Sequence, residues 1–155
     1  MMRSRVTEDF PAEFRKVVAF QDDQVARFVI PEDLGARAHF SLQVNAAFEG
    51  EDRLFSLFDE SPFASSTVPG VLTFLHEAAG HPKFQRRHVF EFVPNAEEEY
   101  SRCLIYVLLN EFRAFLVQDR SGATWFFFSH DEYFTFSTEQ GDLETEIQEF
   151  VANLN

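Results

Sequence analysis

Aromatic residues are concentrated in two short stretches near the C-terminal end of the chain, where residues 125–128 read WFFF and residues 133–136 read YFTF. Both stretches favour β-strands, and successive side chains of a strand point to opposite faces of its sheet. Trp125 and Phe127 therefore share one face, and the phenylalanines that alternate with them share the other. Both faces must then be covered, by helices of the same chain, by a dimer mate or by a partner.

The aromatic stretches belong to a predicted antiparallel meander. Strands over 112–117 and 123–129 flank a turn that contains Gly122, which suits a left-handed turn position, and residues 133–137 predict the strand that follows. Earlier in the chain, alternating or β-rich patterns predict shorter elements: strands at 25–30, 36–48 and 86–93, and a strand or a turn of helix at 53–59.

Helical spacing of apolar residues predicts helices at 8–20 and 68–79, the second ended by Gly80. The clearest helix is C-terminal, with one apolar stripe made of Leu143, Ile147, Phe150, Val151 and Leu154. Residues 100–109 allow two interpretations. Glu98 lies three residues after Asn95, which favours a capped helix, whereas the continuous apolar run 104–109 has the length of a strand. We prefer the strand.

These elements predict a single α+β domain in which an antiparallel meander is packed by an N-terminal, a central and a C-terminal helix. The chain has 155 residues, a length at which one domain is usual and a real core can form without disulfides or metals. The single cysteine, Cys103, lies in an apolar run and is predicted to be buried and inert. No run reaches the ~18 apolar residues of a membrane span, so we expect a cytoplasmic protein with no membrane partner.

Negative charge is unevenly distributed. The formal net charge is −13, and the chain carries no Lys or Arg from Ser121 to its end. This charge disfavours direct binding to nucleic acid phosphates and favours a basic protein partner, through electrostatic steering. The alternative is that acidity keeps a chain with 21 phenylalanines in solution.

The sharpest catalytic motif is the string HEAAGH, which runs from His76 to His81. Five residues of a regular helix turn about 500°, so the two imidazoles diverge by about 140° unless the helix is bulged. The string resembles the H-E-x-x-G-H motif of the dipeptidyl peptidase III metallopeptidases. That resemblance covers six residues and implies that His76 and His81 are metal ligands and that Glu77 is the general base. The alternative is an amphipathic helix for which Gly80 is the C-terminal stop.

We favour a non-catalytic acidic protein-binding module without a cofactor, of the immunity or inhibitor type, that neutralises a basic partner. Bacterial immunity proteins that block nuclease toxins are similar in size and charge. One alternative is a small acidic secretion-type chaperone acting as a homodimer, and another is a metal-dependent hydrolase that uses the HEAAGH string. The predicted partner-binding residues combine aromatic anchors with carboxylates: Trp125, Phe127, Asp131, Glu132, Tyr133, Asp142 and Glu146.

Overall fold

The computed structural model describes residues 26–57, 74, 77, 78, 80, 89–92, 98–110 and 114–153. Within this part of the chain, three helices and six strands form one α+β arrangement. In chain order they are β1 (Phe28–Val29), α1 (Leu34–Ala46), β2 (Arg53–Leu57), β3 (Val89–Phe92), α2 (Glu98–Asn110), β4 (Phe115–Asp119), β5 (Trp125–Phe128), β6 (Tyr133–Ser137) and α3 (Gly141–Ala152).

The strands form one antiparallel sheet in the order β1-β6-β5-β4-β2-β3. Strands β4, β5 and β6 are the predicted meander, and β6 has the bounds that the sequence indicates. The register pairs Phe128 with Phe134 and Phe126 with Phe136, which places these four rings on one face. The predicted α+β class and the antiparallel meander are confirmed.

One carboxylate organises the turn between β4 and β5. Oδ1 of Asp119 accepts hydrogen bonds from the backbone N–H groups of Gly122 (2.6 Å) and Ala123 (3.1 Å), and its Oδ2 accepts one from Thr124 (2.9 Å). Gly122 has a φ of 76°, the left-handed conformation that glycine adopts without a steric cost. The predicted role of Gly122 is confirmed.

The strand predicted at 36–48 is wrong, because this segment is helix α1. Asp33 caps the helix: its Oδ1 accepts a hydrogen bond from the backbone N–H of Ala36 at 2.9 Å. Phe40 and Val44, four residues apart, are both buried, whereas Leu42 between them is 47% exposed. The alternation of Phe40, Leu42 and Val44 is therefore coincidental, and the helical spacing of the buried positions decides the structure.

The strand preferred at 104–109 is also wrong, because these residues lie within helix α2. The buried residues of α2 recur at helical spacing: Ser101, Leu104, Ile105, Leu108 and Leu109. Glu98 and Glu99 lie in its first turn, where negative charge stabilises a helix. The apolar run resembles a strand because α2 packs against both α1 and the rest of the core, which widens its apolar face.

Phenylalanine rings join the helices to the sheet. The ring of Phe40 on α1 lies 4.7 Å from that of Phe134 and 5.7 Å from that of Phe150 on α3. Ile147 of α3 is buried, and its neighbours Leu143 and Val151 pack against the same cluster. The predicted C-terminal helix and its apolar stripe are confirmed up to Val151, and Leu154 lies outside the described residues.

The predicted helix at 8–20 and most of that at 68–79 also lie outside the described residues. Phe74, Glu77 and Ala78 are helical, and Gly80 has a φ of 78°, as expected for a glycine that ends a helix. No helix within the described ranges is long and apolar enough to cross a membrane.

The second face of the sheet is buried as well. It carries Leu116, Gln118, Trp125, Phe127 and Thr135, each at most 6% exposed. Gln118 is fully buried, and neither its Oε1 nor its Nε2 has a hydrogen-bond partner among the residues that the structure describes. A buried polar group without a partner is costly because it has lost its hydrogen bonds to water.

We therefore expect Gln118→Met to raise the free energy of unfolding by about 1–2 kcal/mol, since the change keeps the shape of the side chain and removes the unpartnered amide. Urea denaturation measures the effect. The control is Gln148→Met on the exposed side of α3, where the amide donates a hydrogen bond to Glu144 and no gain is expected. A lower stability for Gln118→Met would show that the amide has a partner after all.

Candidate protein-binding surface

The seven predicted partner-binding residues divide into buried rings and surface groups. Trp125 and Phe127 are 6% and 5% exposed, so the chain itself covers them, which is one of the possibilities that the sequence leaves open. Tyr133 is half-buried, with the guanidinium of Arg27 4.9 Å from the centre of its ring. The four carboxylates, on Asp131, Glu132, Asp142 and Glu146, are all exposed.

These carboxylates belong to a larger group of exposed acidic residues, the C-terminal carboxylate set. Its members are exposed and follow β5 in sequence: Asp131, Glu132, Glu139, Asp142, Glu144, Glu146 and Glu149. None of them forms an ion pair with a lysine or arginine of the described chain. Among the described residues, Nε2 of His130 lies 3.4 Å from Oδ1 of Asp131. Within the described chain, no lysine or arginine therefore compensates the negative charge of this set.

Helix α3 carries most of this charge, with opposite effects at its two ends. Asp142 and Glu144 lie in its first turn, where negative charge stabilises a helix. Asp142 and Glu146 are one turn apart, an arrangement that destabilises a helix by about 0.2–0.5 kcal/mol for like charges. Glu149 lies in the last turn, which contains no basic residue, and negative charge is unfavourable beside the negative end of the helix dipole. A cation brought by another molecule would relieve both effects.

A groove of about 250 Å³ runs between α1 and α3. Ala47 and Ile147 are buried in its floor, and Asp142 and Glu146 form part of its rim. Gln43 of α1 also lines the groove, and its buried Oε1 accepts no hydrogen bond from the described residues. The groove therefore combines an apolar floor with hydrogen-bond acceptors, and no described lysine or arginine lines it.

The turn between β5 and β6 holds the other two predicted carboxylates. The backbone of Glu132 has a φ of 65°, in the left-handed region that non-glycine residues rarely adopt. Its carbonyl accepts a hydrogen bond from the N–H of Ile30 at 2.9 Å, which ties β1 to this turn. The structure therefore holds an exposed glutamate in a strained conformation that a glycine would adopt freely.

A buried arginine that sequence reasoning missed connects α1, β2 and α2. The side chain of Arg53 is 2% exposed, and its Nη2 lies 2.9 Å from Oε2 of Glu98. Arg53 also donates hydrogen bonds to the side chains of Asn45 and Ser101 and to the carbonyl of Phe48. Asn45 in turn donates to Glu98. The sequence does contain a signal for the burial of Arg53: it lies two residues before Phe55 in a strand, and such residues share one face of the sheet.

A second arginine is also buried. Arg37 of α1 is 8% exposed, and its Nε donates a hydrogen bond to the carbonyl of Pro31 at 2.6 Å. Its Nη1 lies 3.4 Å from Oδ1 of Asn110 at the end of α2. Two of the 13 Lys and Arg residues of the chain are therefore buried and contribute little positive charge to the surface.

Two other sequence predictions have different outcomes. Cys103 is exposed on α2, so its predicted burial is wrong: the helical turn places it away from the buried side of Leu104 and Ile105.

His76 and His81 lie outside the described residues, and Glu77 is exposed. Among the residues that the structure describes, no three His, Cys, Asp or Glu side chains could together hold a metal ion. The metal-dependent hydrolase stays a prediction.

Comparison with protein-family models, with curated proteins and with solved structures finds no match for this chain. The candidate surface is therefore argued from its own residues.

Replacement of Glu132 by glycine is expected to raise the free energy of unfolding by about 0.5–1 kcal/mol, because relief of the left-handed strain exceeds the entropy cost of glycine. The control is Glu139→Gly, which removes the same charge from a residue without a positive φ and is expected to lower stability or leave it unchanged. Equal effects of the two substitutions in urea denaturation would show that strain at Glu132 is negligible.

Replacement of Arg53 by methionine is expected to lower the free energy of unfolding by about 3 kcal/mol, since it leaves Glu98 and Asn45 without their buried partner. The control is Arg120→Met at a side chain that is 61% exposed and 3.7 Å from Asp52, for which a loss under about 1 kcal/mol is expected. Similar losses for the two variants would contradict a structural role for the buried network.

Proposed function

We propose that the protein is a non-catalytic binding module of the immunity or inhibitor type, which neutralises a basic protein partner through its C-terminal carboxylate set. The observation that carries this proposal is that all seven carboxylates are exposed and none has a lysine or arginine partner among the described residues. An uncompensated surface of one sign attracts a partner of the opposite sign and raises the rate of association.

The placement of the basic residues supports this proposal. Three acidic groups elsewhere in the described chain are paired: Glu98 with Arg53, Glu99 with Arg102 at 3.3 Å, and Asp52 with Arg120. Interspersed charges of both signs serve solubility, whereas the segment from Ser121 onward contains the seven exposed carboxylates and neither Lys nor Arg. The unpaired acids are consistent with a site that an external cation completes.

Two features that lower the stability of the free protein also support the proposed function. The left-handed Glu132 and the carboxylate of Glu149 in the last turn of α3 both lower the stability of the free protein. Such costs are common where binding or catalysis constrains the residue, because stability and function then compete. Two separate elements, the β5–β6 turn and α3, carry this cost within one segment of 19 residues, from Asp131 to Glu149.

We expect affinity capture from the source cell, followed by mass spectrometry, to return a basic protein whose binding weakens strongly between about 50 mM and about 300 mM salt. With that partner purified, the triple change Glu144→Gln, Glu146→Gln and Glu149→Gln should slow association about tenfold at the lower salt concentration, because charge complementarity acts chiefly on the rate of encounter.

The matched control neutralises three exposed acids outside the C-terminal carboxylate set, Glu32, Glu49 and Glu51, and should slow association much less. Capture of no basic protein, or binding that is indifferent to salt, would overturn the proposed function. Equal slowing by the two triple variants would show that only net charge matters and would remove the assignment to the C-terminal segment.

A further inference from the structure

Helix α1 presents an apolar surface to solvent along its whole length. Residues spaced four apart lie on one side of a helix, and four such residues form the α1 stripe: Leu34, Ala38, Leu42 and Ala46. Leu34 and Leu42 are 61% and 47% exposed, Ala46 is exposed and Ala38 is half-buried. The outer side of a surface helix usually carries charged or polar residues, and a continuous exposed apolar surface often marks an interaction site. We infer that a second copy of this chain packs its own α1 against this stripe.

Charge decides which kind of partner suits the α1 stripe. The other exposed residues of α1 are Gly35 and His39, and the one Lys or Arg in this helix, Arg37, is buried. The helix contains neither Asp nor Glu. A charged partner surface placed here would therefore lose water without gaining an ion pair from α1. An equally uncharged surface is favoured, and the stripe of a second copy is such a surface.

The order of large and small residues along the α1 stripe is self-complementary. Because leucine and alanine alternate, two antiparallel α1 helices related by a two-fold axis place Leu42 of one copy opposite Ala38 of the other. The same axis places Leu34 opposite Ala46. Each leucine then meets a small residue of the facing helix, which lets the side chains of one helix pack between those of the other. The same surface serves both copies, as two-fold symmetry requires, whereas parallel helices in register would place leucine opposite leucine.

The size and charge of the contact set the strength of the dimer. Helix α1 has 13 residues, so its face is about 20 Å long and about 10 Å wide, well below the roughly 800 Å² that each partner buries in a standard stable interface. The exposed Glu32 and Glu49 lie before and after α1, and each copy has a formal net charge of −13, which opposes association. We therefore expect a reversible dimer with a dissociation constant in the micromolar range, which salt strengthens by screening the repulsion.

The first test is sedimentation equilibrium of the full-length protein from about 5 µM to about 500 µM, over which the monomer should convert to a dimer. Raising the salt concentration from about 50 mM to about 300 mM should tighten the dimer about twofold. Leu42→Glu should weaken it at least about thirtyfold, because the contact would bury an unpaired carboxylate from each copy. The matched control is Val29→Glu, which adds the same charge at a residue that is 65% exposed on β1 and should weaken the dimer less than about threefold.

The second test exchanges the large and small residues at the centre of the contact. Ala38→Leu should weaken the dimer at least about fivefold although it adds apolar surface, since two leucines then meet. Leu42→Ala should weaken it about fivefold through the apolar contact that is lost. The double variant with both changes again places leucine opposite alanine, so its dissociation constant should return to within about threefold of the wild-type value.

Urea denaturation of each variant establishes that it is folded, and Leu42→Glu, at an exposed position, keeps the interface testable if Ala38→Leu does not fold. A monomer at every concentration, a dimer that persists in Leu42→Glu, tighter association of Ala38→Leu, or no recovery in the double variant would overturn the inference. The dimer does not depend on the proposed function, because the C-terminal carboxylate set contains no residue of α1.

Discussion

The helices of this protein are held by one surface of aromatic rings on its sheet. Phe128 stacks on Phe115 at 4.3 Å, Phe126 stacks on Phe136 at 5.4 Å, and Phe134 contacts Phe40 of α1. Because each buried ring removes roughly 150–250 Å² of surface from water, this layer supplies a large apolar area against which the helices pack. The position of α3, and with it that of four of the seven exposed carboxylates, follows from how its rings and aliphatic groups meet this surface.

Local sequence patterns were sufficient where one strong period or one turn residue decides the structure. Alternation and Gly122 predicted the β4–β5 hairpin, and the stripe through Ile147 predicted α3. The same reasoning failed for α1 because the exposed Leu42 imitates a strand alternation with Phe40 and Val44, and for α2 because the partly buried Tyr106 and Val107 make its apolar run continuous. In α1 the correct signals were the cap at Asp33 and the helical spacing of Phe40 and Val44.

The acidic surface was predictable in part. Composition locates negative charge in the C-terminal segment, and all the predicted carboxylates are exposed. Composition cannot show that Arg53 and Arg37 are buried, because their burial depends on contacts with residues distant in sequence, such as Glu98 and Asn110. It also cannot show the groove, which exists only because α1 and α3 lie beside each other. The aromatic anchors at Trp125 and Phe127 were placed correctly on one face, but that face is buried within the chain.

The buried charge of Arg53 and the exposed charges of α3 differ in how far they need partners. Arg53 is removed from water and must be satisfied completely, since a buried charge that lacks partners costs several kcal/mol; it therefore has four partners and joins three elements. The carboxylates of α3 remain in water, where a like-charge pair one turn apart costs a few tenths of a kcal/mol, so the fold tolerates them without partners. Because Ile147 and Phe150 pack into the core, the backbone positions from which these carboxylates extend are defined. A defined backbone lowers the part of the entropy cost of binding that comes from ordering the main chain.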